Sequence, residues 1–259
     1  MSSSRFVRSV LATLLVFWGA GARAQSSLDD QMIQAAKKGD TASVEQLLAK
    51  GAHLEAPGQY GGTALIWAAA QGHDDIVKLL LRKGANIEAK NTSDQTALLW
   101  AAHEGQTETV KLLLKNRAGI EDKDKHGFTA LMGAAGHNHA DTARLLAKKG
   151  ANIEARDNHG ETALILAAAS SGPENGGIAT VSLLLEAGAN LEAADNDGET
   201  ALIVAAENGW TDTVKLLLQK GANIKAKNNS GKTALAVAEG AGKKDVVELL
   251  REAEAKKPD

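Results

Sequence analysis

The sequence predicts an all-α repeat solenoid of helix-turn-helix units carrying β-hairpin-like fingers. Three observations lead there. Thr63, Thr96, Thr129, Thr162, Thr200 and Thr233 open one recurring phrase, at spacings of 33, 33, 33, 38 and 33 residues. Self-similarity at such a period is the signature of a stacked repeat. Apolar residues make up 44% of the chain but aromatics only 3%, so the core is built from Ala, Leu, Ile and Val, which suits closely spaced helices. Finally, apolar residues at helical spacing give way, once per period, to polar links containing glycine.

The first 24 residues stand outside the pattern. Arg5 and Arg8 form a positive start, Val10 to Trp18 an apolar run, and Ala22-Arg23-Ala24 a small-residue site. This order is that of a secretory signal cleaved after Ala24. The run is short of the roughly 20 apolar residues a spanning helix needs, so no stable membrane insertion is expected after cleavage. The form is that of a bacterial export signal, which points to the periplasm, with full secretion as the alternative.

The repeats are read as 28–58 (N-terminal cap), 59–91, 92–124, 125–157, 158–195, 196–228 and 229–255 (C-terminal cap). The first lacks the opening phrase and is more polar, as a capping repeat is. In the unit from Gly61 to Asn86, Thr63 is placed as a helix N-cap. Leu65, Ile66, Ala68 and Ala69 form a buried face, and Gly72 ends the helix. A second helix carries Ile76, Val77, Leu80 and Leu81. Acids near its start (Asp75, Glu108, Asp141, Asp212, Asp245) and bases at its end (Arg82, Lys148, Lys220) complement the helix dipole. Helices of about nine residues are marginal alone, so stacking must stabilise them. The links, such as Lys123-Asp124-Lys125-His126-Gly127, are tight turns with Gly at a left-handed position.

Read as Gly61-x-Thr63-Ala64-Leu65-Ile66-x-Ala68-Ala69-x-x-Gly72-His73, the phrase resembles that of the ankyrin-repeat family, over residues 28–255. The resemblance implies protein partners as a class, bound on a concave surface of fingers and first helices. It departs from the family in having Ala for the family's Pro (Ala64, Ala97, Ala130, Ala163, Ala201, Ala234) and apolar residues for its His. Losing that His removes a polar link between fingers, for which extra apolar helix contacts are expected to compensate. Arg117 replaces a C-cap Gly and Asp94 a turn Gly, which marks 92–124 as the most strained unit. Five additional residues lie within 170–177, between the helices of one repeat; tolerated loop growth is preferred there over a binding loop.

The formal net charge is −3, and Arg5, Arg8 and Arg23 all fall in the cleaved segment. A mildly acidic product lacks the basic face that nucleic-acid binding needs. With no cysteine there is no disulfide or thiol nucleophile. The glycines of 172–177 follow no strand and carry no Lys-Ser/Thr, so no phosphate loop is read. No catalytic residues, metal ligands or cofactor are assigned.

His73, His139 and Trp210 fall in the family's Gly-His slot and are read as structural. The variable positions are the candidate contacts: Tyr60, Gln71, Gln95, His103, Glu104, Lys125, His126, Phe128, His137, His159, Glu161, Glu199 and Glu207. Tyr60 and Phe128 are expected to be exposed on fingers. Trp67 and Trp100 share one first-helix slot and are expected to stack. His103, His126, His137 and His159 are expected to line one patch. The reading is a monomeric, non-enzymatic, exported scaffold for protein–protein interaction. Alternatives are a metal- or small-molecule-binding protein using the histidine patch, and a secreted effector acting on a host protein.

Overall fold

The computed structural model describes residues 27–170 and 177–256; the leader and most of the 170–177 insertion lie outside them. Helix α1 covers 27–38. Pairs of helices follow: α2 (Thr41–Ala49), α3 (Ala64–Ala70) with α4 (Asp74–Arg82), and α5 (Ala97–His103) with α6 (Thr107–Lys115). Next come α7 (Ala130–Gly136) with α8 (Ala140–Lys148), α9 (Ala163–Ala169) with α10 (Ile178–Glu186), α11 (Ala201–Asn208) with α12 (Thr211–Gln219), and α13 (Ala234–Gly240) with α14 (Lys244–Lys256). First helices stack on first helices from α3 to α13, and second helices on second from α2 to α14, giving two layers.

The opening threonines are N-caps: Thr63 Oγ1 accepts from Ile66 N at 3.4 Å, and Thr96, Thr129, Thr162, Thr200 and Thr233 repeat the bond. The Ala pairs are fully buried in the first-helix layer (Ala68, Ala69, Ala101, Ala102, Ala134, Ala135), and this small cross-section lets α3, α5 and α7 approach closely. In α4 the core face is Ile76, Val77, Leu79 and Leu80, all buried. Leu81 is only half-buried, so the core face is shifted from the expected Leu80–Leu81 to Leu79–Leu80. First helices are seven or eight residues, shorter than expected, and α14 runs to 13.

Two ladders of hydrogen bonds tie the units together. On the finger side, Thr92 N donates to Tyr60 O, Asn158 N to His126 O and Asn196 N to His159 O, each at 2.9 Å. Lys125 N to Ser93 O (3.1 Å) and Asn229 N to Asp197 O (2.8 Å) complete the row. On the opposite link, a glutamate of each unit accepts a backbone N–H of the next: Glu55 from Asn86 (2.7 Å), Glu88 from Gly119 (2.9 Å), Glu121 from Asn152 (2.8 Å), Glu154 from Asn190 (2.8 Å) and Glu192 from Asn223 (2.9 Å). Asp29 of α1 starts this second row by accepting from His53 N at 2.8 Å. The apolar residues in the family's His slot, Ile66, Leu99, Met132, Ile165 and Ile203, are all buried.

The unit 92–124 carries two non-glycine residues in the left-handed region, Asp94 (φ 60°) and Arg117 (φ 68°), as its sequence anticipates. Tyr60 (φ 57°) and Asn138 (φ 57°) adopt it too. Asn138 stands where Gly105 stands one repeat earlier. A Cβ on Gly105 would lie 2.5 Å from the His139 ring. In the repeat after Asn138, Gly177 is the N-cap residue and has no side chain, so Asn138 fits and its Oδ1 accepts from Thr180 Oγ1 at 2.7 Å.

Candidate binding face

Each finger after the first is a tight turn pinned by its first side chain. Asp124 Oδ1 accepts from His126 N (2.9 Å) and Phe128 N (3.0 Å), and Asp157 Oδ1 from His159 N (2.9 Å) and Glu161 N (2.8 Å). Asn91, Asp195 and Asn228 do the same. Strand pairing is reduced to one isolated bridge, Ala194 with Thr200, among the described residues. The first finger has Gly58 in the pinning slot. Within the turn it is held by backbone bonds, Gly61 N to Gly58 O and Gly58 N to Gly62 O, and its Tyr60 O also accepts from Thr92 Oγ1 at 2.9 Å.

This geometry sorts the candidate residues into two sets. The tip slot points outward: Tyr60 is 66% exposed, and His126 and His159 are exposed, as is Lys125 beside them. The slot two residues later turns in toward the first helix. Phe128 occupies it, and contrary to expectation it is half-buried and packed against the core. Gln95 occupies it one repeat earlier and is committed internally, with Oε1 accepting from Trp100 Nε1 (2.6 Å) and Asn91 Nδ2 (3.0 Å). Glu161 and Glu199 occupy it later and are half-buried; Glu199 Oε1 accepts from Asn228 Nδ2 at 3.2 Å. Burial, then the neighbouring Asp157 carboxylate, raises the Glu161 pKa. Burial first also raises that of Glu199, against a bond from Asn228 that lowers it.

On the first helices, Gln71, Glu104, His137 and Glu207 are exposed and His103 half-buried. Trp67 and Trp100 do meet, with ring centres 5.6 Å apart at 52°. The contact continues from Trp100 to His103 (6.2 Å), from His103 to His137 (3.8 Å), and from His137 to His139 (6.3 Å). Lys37 Nζ lies 4.3 Å from the centre of the Trp67 ring. The four expected histidines thus split: His103 and His137 touch, while the rings of His126 and His159 stand on the tips and join neither. His103 Nδ1 lies 3.1 Å from Glu104 Oε1, and His137 Nδ1 lies 3.1 Å from Gly133 O. His139 packs over Gly105, and burial lowers its pKa. Among the described residues no group of three or more His, Asp or Glu is arranged to hold a metal ion, and no helix is long and apolar enough to cross a membrane.

Three copies of the family model for ankyrin repeats match residues 32–124, 116–192 and 169–259. The chain belongs to the ankyrin-repeat family. Among solved structures it is similar to the human ASB11 ankyrin repeat domain, at 26% identity and a TM-score of 0.78, over 88% of this chain and 98% of that one. It is also similar to the ankyrin repeat domain of Bcl-3, a member of the IkappaB protein family, at 30% identity and a TM-score of 0.69, over 86% and 98%. A search of curated protein sequences finds no match. Ankyrin repeats bind other proteins, and membership makes this chain a protein–protein interaction scaffold.

Two features lie outside the sequence reading, the glutamate row on the opposite link and the inward slot of this face. The glutamate row was visible in the recurring Ala-Asn-Ile-Glu and its variants. The inward slot was not, because it depends on which finger residue turns toward which first-helix residue.

Proposed function

We propose that this ankyrin-repeat protein is a monomeric, non-enzymatic scaffold that is exported to the periplasm, loses residues 1–24, and binds a partner protein through its finger and first-helix face. The observation that carries this reading is where the repeats disagree. Residues common to all units are buried, capping or turning. Tyr60, Gln71, Glu104, Lys125, His126, His137, His159 and Glu207 lie in slots whose residue varies along the stack, with His recurring at 126 and 159, and all are exposed. The face is graded along its length, aromatic at Tyr60, Trp67 and Trp100, then imidazole at His103 and His137, then acidic at Glu161, Glu199 and Glu207. A preformed face of this kind binds with little ordering cost. Cross-linking the mature chain in periplasmic extract, followed by mass spectrometry, tests it. The expected result is a chain starting at Gln25 that captures one partner, with capture lost on combined Tyr60→Ala, His126→Ala and Glu207→Ala. Retention of residues 1–24 in a membrane fraction would contradict the export reading.

A further inference from the structure

Trp67 and Trp100 occupy the same slot of adjacent repeats, so each is a control for the other. Trp100 Nε1 donates to Gln95 Oε1 at 2.6 Å. Gln95 is the inward residue of its finger. In the preceding repeat that residue is Gly62, which has no side chain to offer, and Trp67 Nε1 is buried without a hydrogen-bond partner. A buried N–H left unmet carries its full desolvation penalty, so this is a place where a ligand group gains by supplying an acceptor.

The space is there. A cavity of about 130 Å³ lies between the first two fingers and helices α3 and α5, lined by Tyr60, Gly62, Trp67, Thr92, Gln95 and Trp100 among others. Its lining contains no charged side chain. Pockets for drug-sized ligands run to roughly 300–1,000 Å³, so this one admits a single side chain. The Trp67 indole leans on Gly62: a Cβ added there would sit 2.7 Å from Nε1. The finger above it is the one held without an Asp or Asn pin, and it carries Tyr60 in the left-handed region. An occupant can therefore reach the N–H by displacing this finger more readily than any other.

We propose that this cavity is a specificity subsite for an uncharged, carboxamide-tipped side chain, Gln or Asn, of the partner protein, whose carbonyl oxygen accepts from Trp67 Nε1 as Gln95 does from Trp100. The proposal rests on the protein-binding reading above and gives that partner a chemical feature. The internal Gln95 template selects an amide, and the lining offers a carboxylate no cation, since Lys37 Nζ lies over the Trp67 ring and is not among the lining residues.

The first test needs no partner. The mature chain, with 15N-labelled indoles, is titrated with N-acetylglutamine methylamide, and in parallel with the glutamate and leucine analogues. The Trp67 resonance is assigned by its absence in Trp67→Phe. The expected result is a saturable, millimolar shift of the Trp67 N–H with the glutamine compound only, abolished in Gly62→Ala, with the Trp210 resonance unmoved. Equal response to the glutamate or leucine compound, or no response, overturns the subsite. If Gly62→Ala fails to fold, Trp67→Phe decides through a captured partner, whose affinity should fall about tenfold for one lost buried hydrogen bond. Capture unchanged by Trp67→Phe overturns the subsite and leaves the scaffold reading standing. Capture of no partner by the wild type sinks the scaffold reading, while the amide titration still decides the subsite.

Discussion

The first finger and the fourth are built on one plan and differ in what holds them. In the fourth, Asp157 is 7% exposed and its Oδ1 accepts two backbone N–H groups. In the first, Gly58 takes that place and two glycines follow Tyr60. The reason lies in the neighbour: a Cβ on Gly58 would meet Ile33 Cδ1 of α1 at 2.9 Å. A capping helix packs where the pin would stand. The first finger is thus traded for closure of the stack's end, and it leaves a cavity that later fingers fill with Gln95, Phe128 or Glu161. Here a repeat's departure from its neighbours is set by contact with the cap, and the gap it leaves is the subsite proposed above.

Substitutions can break this contrast in graded steps. The largest effect is expected from Asp157→Ala, which frees two part-buried backbone donors of the finger; urea unfolding should show a loss of about 1–3 kcal/mol. Adding the missing pin should fail in the opposite finger. Gly58→Asp is expected to destabilise by about 1–2 kcal/mol through overpacking against Ile33, and a gain in stability would mean that α1 yields easily. Arg117→Gly should stabilise by about 1 kcal/mol or less, because it restores glycine at an exposed left-handed position; thermal unfolding reads this directly. The smallest effect, Glu161→Gln, depends on pH. Burial and Asp157 hold the Glu161 carboxyl above its ordinary value, so the native state binds its proton more tightly than the unfolded chain does. Its contribution to stability is present below the unfolded pKa and is lost as pH rises through the raised folded pKa. The Gln variant keeps a neutral side chain throughout. Its melting temperature should exceed the wild type's at neutral pH, with the difference closing as pH falls below the ordinary glutamate range. A difference independent of pH would point to packing instead.

Much of the fold is legible in the residues. A 33-residue period, N-cap threonines and alanine pairs define helices and stacking without any knowledge of neighbours, because the information recurs in each unit. The finger was legible only as a turn. Treating it as uniformly exposed gave Tyr60 correctly and Phe128 wrongly, since tip and inward slots are two residues apart and only the backbone path separates them. The histidines show the same limit. His103 and His137 fall in contact because stacked first helices bring adjacent units' residues together, whereas His126 and His159 ride on tips directed away. Gln95 looked like a contact residue and is spent on Trp100, five positions along, a pairing that no helical or strand period announces.

The central claim is that the exposed, unit-specific residues of the finger and first-helix face carry the function. It is tested most directly by cross-linking capture from periplasmic extract with two matched variants of the mature chain. One replaces Tyr60, Lys125 and Glu207 on that face by Ala, and the other replaces Glu108, Lys111 and Arg144 on the exposed side of the second-helix layer. With both variants folded by circular dichroism, partner capture should be lost in the first and kept in the second. Equal capture by the two, or loss confined to the second, would contradict it.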